Sequence, residues 1–466
     1  MLVQRNFHAG TKSEHGGIIA AHLTWFRLLK ASWHSATAYV ISQTLTAAAA
    51  ALAVRGLGAS AYGSVVAIIA YYGWFSLLSN YWTYALLPNL LADQSVTSSE
   101  KKRACATAMF LTVILTAFAV LIAFLTMPIF IPNISAGPLH RIAVLYALVF
   151  AFAQFRPTLD AISQSAGWLR LWSASNLIGT ALPVVFLLFY LASSKAFGPF
   201  VYVLLLVAAT AMSVAFSFGG FVYMLGGPRY LRPKLSLIRP FLAAGQGPWI
   251  SLFSNVLITV GVKSLIATYL VSKELGFFEI VNTFCVWIIS AGLSVTIPAL
   301  SGWSRLVAEQ DIEALRKDVR ACQAATGAVL GTMALLVIVA ATPILRTLYG
   351  REFGDAALLL RIAALSMPIG GLGGWYWYAA FAIGQPWRMA RPNITCCVPI
   401  FGLTYVFVRF TSLGVIGALL ATTIGNFVWL AVWEYEFRQA LLTARENAVG
   451  DIPHLSGSRS PSDDES

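Results

Sequence analysis

Charge is what this chain has least of. Asp, Glu, Lys and Arg make up 11% of its 466 residues, where a soluble domain carries about a quarter. Acidic residues are the scarcer sign, 19 against 31 basic. Cysteine is also sparse. Cys105, Cys285, Cys322, Cys396 and Cys397 fall mostly inside apolar runs without metal-ligand spacing, which argues against a disulfide framework and against a metal site. Long polar stretches are missing too. The longest interior connections, 226–239 and 301–320, are too short to hold a soluble catalytic domain. There is no nucleophile–base pair and no phosphate-binding glycine loop, because the glycines lie within apolar runs rather than between a strand and a helix. A non-enzyme without cofactors is expected. The first residues are polar and the first apolar run lacks a cleavage-like exit, so no signal peptide is expected.

Apolar length is what the chain has instead. It is 58% hydrophobic, with a mean hydropathy of +0.74. Runs of about 20 apolar residues each cross a bilayer as a helix. About twelve such spans fit, at 36–54, 64–91, 104–127, 141–163, 170–191, 199–225, 241–268, 275–300, 321–342, 356–383, 390–410 and 414–437. The runs do not alternate as barrel strands do, so the fold class is an all-α polytopic membrane protein. A net charge of +12 raises nucleic acid as a partner, but the basic residues sit in short connections, as membrane topology requires. They crowd the N-terminal segment and the even-numbered connections (Lys101 to Arg103, Arg229 to Arg239, Arg316 to Arg320, Arg388, Arg391) and thin out in the odd-numbered ones. Both termini are therefore expected in the cytoplasm.

The chain repeats itself. Leu57-Gly58-Ala59-Ser60-Ala61-Tyr62-Gly63 is echoed 213 residues later by Leu270-Val271-Ser272-Lys273-Glu274-Leu275-Gly276, and Gly167 and Asn176 are echoed 217 residues later by Gly384 and Asn393. Six spans per half is an even number, so the repeats enter from the same side and are parallel. The expected division is a cytoplasmic segment 1–35 with an interfacial helix near 20–33, a six-helix lobe 36–225, a basic linker 226–240, a second lobe 241–442 and a disordered tail 443–466. Residues 309–317 read as a cytoplasmic helical extension.

Ionisable groups inside a membrane cost roughly 2.5–3.5 kcal/mol unless paired or wetted, and so point to function. Arg156 and Asp160 lie one turn apart on the fourth span, and Lys263 lies on the seventh, with Glu279 near the outer end of the eighth. On one reading Arg156 and Lys263 hold an anion in a central cavity, with Asp160 as counter-ion or proton carrier. On the other, Arg156 and Asp160 are a structural pair and Lys263 snorkels to the outer surface. Gln246, Ser251, Ser254, Asn255 and Thr259 recur at helical spacing with Lys263, forming a wet stripe with Asn255 as a cavity residue. Pro88 and Pro298 are counterpart kinks near the inner ends of spans 2 and 8. Gly370 to Gly374 before Trp375-Tyr376-Trp377-Tyr378, with Tyr71, Tyr72 and Trp74 of the second span, suggest either an aromatic-lined path for sugars or close helix packing.

Arg55-x-Leu57-Gly58 with Tyr62-Gly63, Tyr349-Gly350-x-x-Phe353 with Leu360 to Leu365, Ala382-Ile383-Gly384, and Leu413 to Ala418 resemble the order of motifs in polysaccharide flippases (O-antigen, Wzx-type, and exopolysaccharide translocators) of the MATE-like superfamily. The resemblance spans about residues 36 to 440. It implies two six-helix lobes that alternately open to each face of a bacterial inner membrane. The implied cargo is a polyprenyl-diphosphate-linked oligosaccharide, moved to the outer leaflet for surface polysaccharide synthesis. Membrane lipid, H+ or Na+ as coupling ion, and other polysaccharide-assembly proteins are the implied partners. Cation-coupled multidrug efflux of the MATE type is the alternative reading. A membrane-embedded polymerase or ligase is a further one, disfavoured by the lack of a sizeable outer loop.

Overall fold

A computed structural model describes residues 17–79, 97–130, 139–166, 168–193, 197–293, 310–383 and 390–450, with a few isolated positions between them. The described residues are almost entirely helical, with no strand among them. Among the described residues, ten helices are long and apolar enough to cross a membrane, and a pair bent by 45°, Arg351–Ala364 and Met367–Trp377, is long and apolar enough when taken as one broken span. One of the ten, Val40–Ser79, is 40 residues long and is broken at Gly58, where φ is 76° and ψ 165°. Only glycine occupies that region without strain. The break leaves a span-length helix on each side, giving the twelve crossings that hydropathy predicts.

We number these crossings as spans. Spans 1 and 2 are the two sides of Gly58 in Gly17–Ser79. Span 3 is Ser98–Phe130, span 4 is Leu139–Ala153 with Phe155–Ser165, span 5 is Leu169–Ala192 and span 6 is Pro199–Leu225. Span 7 runs through Ile238–Val256, a five-residue π-type turn Leu257–Gly261, and Val262–Tyr269; span 8 is Ser272–Gly292. Span 9 is Ile312–Tyr349, span 10 is the bent segment from Arg351 to Ala382, span 11 is Ala390–Phe410 and span 12 is Gly414–Gly450.

Three boundaries differ from expectation. The chain is helical from Gly17 straight into span 1, with no separate interfacial helix. Of the expected extension at 309–317, Ile312 to Lys317 are the first turns of span 9 itself, capped by Asp311, whose Oδ1 accepts from the Ala314 N–H at 3.0 Å. The last helix runs on to Gly450, so the first residues of the polar tail are helical. Pro88 and Pro298 lie outside the described residues.

The echoed segments meet each other. A methyl group on Gly63 would sit 1.7 Å from the Ser272 carbonyl oxygen, and one on Gly276 would sit 2.3 Å from that of Ala59. Ser272 is the counterpart of Ala59 and Gly276 that of Gly63, so each copy presents the same patch to the other. That is the signature of a two-fold contact. Spans 2 and 8 cross here at backbone contact, which only glycine permits. Lipid tails are as apolar as the core, so this close packing holds the spans together more than burial does. Val65, Val66, Ile68 and Tyr72 beside the crossing are almost completely enclosed.

The two halves are tied further at this end, which we call the Gly58 end. The Ala59 N–H, at the start of span 2, donates to Glu352 Oε1 at 2.9 Å. Arg55 donates to the carbonyl of Thr347 in the last turn of span 9. Spans 2 and 7 are joined lengthwise by Trp74 Nε1 to Ser264 Oγ (3.0 Å) and Trp249 Nε1 to the Leu77 carbonyl (2.8 Å).

Candidate functional site

The first polar centre is built on a break in span 4. Pro157 has no N–H to give to the Ala153 carbonyl, and the helix stops at Ala153 and restarts at Phe155. The restart points Arg156 between spans 5 and 6. Its Nη2 donates to Asn176 Oδ1 at 2.7 Å and to the Ser175 carbonyl at 3.4 Å, and its Nη1 donates to Ser213 Oγ at 3.4 Å. The space exists because residue 179 is glycine: a methyl group there would lie 1.9 Å from Nη1. Asp160 approaches only the far side, with Oδ2 3.8 Å from Nε. The guanidinium is thus oriented by neutral oxygens, and its charge is answered only at a distance beyond hydrogen bonding. The Arg156 and Asp160 side chains keep 27% and 20% of their surface accessible.

The second centre lies on the other half. Lys263 follows the π-type turn of span 7, and its Nζ is 2.7 Å from Glu279 Oε2 on span 8. Both side chains are largely buried, at 16% and 14% exposure. Lys263 therefore does not snorkel. Tyr62, Tyr146 and Tyr202, from spans 2, 4 and 6, lie within electrostatic reach of Glu279, so the pair sits where the halves meet. It is near the Gly58 end, whereas Arg156 lies well along span 4 toward the opposite end. Arg156 is engaged by spans 4 to 6 and Lys263 by span 8, so no contact joins the two cations.

The wet stripe on span 7 divides. Ser251 is buried and accepts from Asn393 Nδ2 at 2.8 Å, whereas Asn255 and Thr259 are exposed. Ser251 and Asn255 both precede the π-type turn and divide by their place around the helix, and the turn's extra residue then rotates Lys263 relative to both. Asn255 consequently shares neither the Lys263 nor the Arg156 environment.

In the aromatic segments Tyr71, Tyr72, Trp375 and Tyr376 are core. Tyr71 and Tyr72 are buried, with hydroxyls on the Ala123 and Ala143 carbonyls at 2.5 and 3.0 Å. Trp375 is fully enclosed and donates to Thr326 Oγ1 at 2.9 Å. Methyl groups on Gly370, Gly371, Gly373 and Gly374 would each meet a different neighbour, among them Leu330 and Trp429, at 3.0 Å or less. Close packing is the reading that holds for this run.

One cluster escaped sequence reading. Arg320 Nη1 donates to Tyr376 Oη at 2.8 Å, and both Arg320 and Tyr376 bond Glu434, as does Arg438 at 2.5 Å. Glu436, two residues on, is buried and pairs with Arg388 and Arg391 at 3.4 and 3.2 Å. These arginines read as topology charges at loop ends. The signal that distinguishes them is two glutamates inside the last apolar span.

Solved transporters share this fold. The inward-facing conformation of a multidrug resistance MATE family transporter of the MOP superfamily superposes with a TM-score of 0.74 at 16% identity, covering 87% of this chain and 96% of that one. A MOP superfamily transporter from Pyrococcus furiosus, described as having a binding pocket of reverse polarity that suggests a different function, gives 0.67 at 15% identity over 93% and 100% of the two chains. A MATE in its bent conformation gives 0.64 at 16% identity over 94% and 100%. No family model and no curated protein matches the sequence. At such identities the likeness establishes the fold.

Proposed function

We propose that this protein is a transporter that flips polyprenyl-diphosphate-linked oligosaccharides from the inner to the outer leaflet of a bacterial cytoplasmic membrane, for surface polysaccharide assembly. Two lobes, 36–225 and 241–442, rock about the Gly63–Gly276 crossing, with both termini and the linker 226–240 in the cytoplasm. The observation that carries this reading is Arg156. It is an intramembrane guanidinium held by neutral acceptors, with donors suited to the oxygens of a diphosphate. Lys263 serves the same anion only when the Glu279 pair opens, and Asn255 would meet the sugar from its exposed position.

Cation-coupled multidrug efflux has the same fold behind it. An exporter of cationic drugs needs a carboxylate free to meet its cargo. Glu279, Glu434 and Glu436 each already pair with a Lys or Arg, and Asp160 has a guanidinium 3.8 Å away. Asp318, in the first turns of span 9, has no ion pair among the described residues, and the paired set favours an anionic cargo. Asp160 is the group we assign to proton coupling, with Na+ as the alternative coupling ion.

The test is reconstitution in proteoliposomes with a polyprenyl-diphosphate oligosaccharide and, separately, a cationic dye. Flipping of the lipid-linked sugar, lost in Arg156→Ala and partly kept in Arg156→Lys, supports the proposal. Dye export without flipping replaces it with efflux. Asp160→Asn with an unchanged response to a pH gradient removes the coupling role.

A further inference from the structure

The end of the first half opposite Gly58 gathers more cations than the described residues supply with counter-charges. The start of span 3 supplies Lys101, Lys102 and Arg103, and the linker after span 6 supplies Arg229, Arg232 and Lys234. The fold pins the two segments together, with the Lys234 N–H donating to Thr107 Oγ1 at 2.8 Å. Lys102 Nζ lies 4.2 Å from the centroid of the Tyr230 ring, and Arg229 Cζ lies 4.9 Å from the same centroid. Two like charges are thereby concentrated on one aromatic residue. Glu100 is the acidic side chain among the described residues that reaches this group, and Lys234 takes it at 3.4 Å.

Topology accounts for the number of cations here but not for their isolation. The corresponding end of the second half is also basic, yet there Arg320 and Arg438 share Glu434, and Arg388 and Arg391 share Glu436. The surroundings of the unpaired set point to the membrane surface. Tyr223 is 82% exposed and Leu235 62% exposed, placing an aromatic and an aliphatic side chain beside the cations, as interfacial anchors do.

We infer that this surface is a binding site for the phosphate groups of anionic membrane lipids in the adjacent leaflet. Lys102 and Arg229 hold a headgroup over Tyr230, Arg232 supports it from the linker, and Tyr223 and Leu235 enter the bilayer edge. The site depends on the protein's place in a membrane and not on the cargo proposed above.

The experiment is native mass spectrometry of the full chain released from mixed phosphatidylglycerol and phosphatidylcholine bilayers. The wild type retains phosphatidylglycerol in preference. Combined Lys102→Ala, Arg229→Ala and Arg232→Ala lowers that preference by roughly tenfold or more, and Arg229→Gln alone lowers it less, on an exposed linker position where folding is not at stake. Combined Arg391→Ala and Arg438→Ala leaves the preference intact. Retention of the preference in the triple variant, or an equal loss in the Arg391/Arg438 control, overturns the inference. So does a triple variant that keeps phosphatidylglycerol but loses an added polyprenyl diphosphate, since the surface would then be one for cargo.

Discussion

The two halves place an asparagine at matching positions and give it different donors. In the first half, Asn176 Oδ1 accepts from the Arg156 guanidinium at 2.7 Å. In the second, Asn393 Oδ1 accepts from the Trp429 indole at 2.8 Å. The residue 217 positions after Arg156 is Gly373, and the space its missing side chain leaves is filled by Trp429, whose ring lies 2.0 Å from where a Gly373 methyl would be. Gly179 makes room for the guanidinium and Gly373 makes room for the indole. A second contrast repeats the first. The positions 213 before Lys263 and Glu279 are Ala50 and Val66, with Val66 fully enclosed. Duplication has kept the scaffold and the acceptors, and the charge has been confined to one half at each centre. A neutral indole satisfies Asn393 at no electrostatic cost. A cation at Asn176, in a membrane, is therefore there for something other than holding Asn176.

The largest effect is expected where the halves are most alike. Gly63→Leu and Gly276→Leu each drive a side chain into a backbone carbonyl of the other half, which cannot yield as a side chain can. Overpacking costs about 1–3 kcal/mol in adaptable cores and more here, so both variants should lose monodisperse protein on size exclusion. A true two-fold contact predicts similar losses. If one substitution were tolerated and the other not, the symmetry of the crossing would be superficial.

Next come the unlike centres. Lys263→Met or Glu279→Gln alone strands a buried partner, at about 3–5 kcal/mol, while the double change to Met at both positions recovers most of the loss. Thermal unfolding in detergent reads this directly, and a double variant no better than the singles would show that the pair is not the coupled unit. Then Arg156→Ala and Trp429→Ala separate the two donors. Truncating a fully buried Trp costs about 3–5 kcal/mol of stability. Trp429 is partly buried, so its truncation should cost somewhat less, and Trp429→Phe, which keeps the bulk, should retain flipping. Arg156→Ala, with a partly exposed side chain, should cost less stability and abolish flipping. Equal behaviour of the two sites in both assays would remove the functional distinction between the halves.

The crossings were legible because hydropathy is a property of the local chain, and so was the break at Gly58, whose neighbours are echoed at Leu270. The repeat offset even identified residues that touch, since counterparts packed about a two-fold axis meet their own copies. Arg156 and Asp160 were found together because they share one helix turn. What sequence does not carry is the partner on another span. Glu279 for Lys263, Asn176 for Arg156, and Tyr376 with Glu434 for Arg320 are set by helix rotation and by glycine vacancies at 179 and 373. The stripe on span 7 is interrupted for a related reason, because regular spacing does not carry from Asn255 to Lys263 across Leu257–Gly261, where the helix widens.

The smallest expected effect concerns how the first half borrows from the second. Span 8 begins with an acid of its own, Glu274, in its first turn. The first turn of span 2, Ala59-Ser60-Ala61-Tyr62, has none, and its Ala59 N–H takes Glu352 from the other half. Arg55 returns the exchange at the Thr347 carbonyl, in the last turn of span 9. A carboxylate at a helix start and a cation at a helix end are each worth about 0.3–1 kcal/mol on an exposed surface. Both bonds cross between halves, so that energy acts on closure of the Gly58 end rather than on the fold. Glu352→Gln or Arg55→Met should thus leave thermal stability nearly unchanged. Each should raise the labelling rate of a cysteine at position 59, a buried position at this end, in a protein whose five native cysteines are replaced, by about two- to fivefold with a membrane-impermeant thiol reagent. Glu274→Gln caps a helix start within its own half and should not alter that rate. If it did so as strongly as Glu352→Gln, the exchange would be a local effect on helix starts with no hold on closure of the Gly58 end.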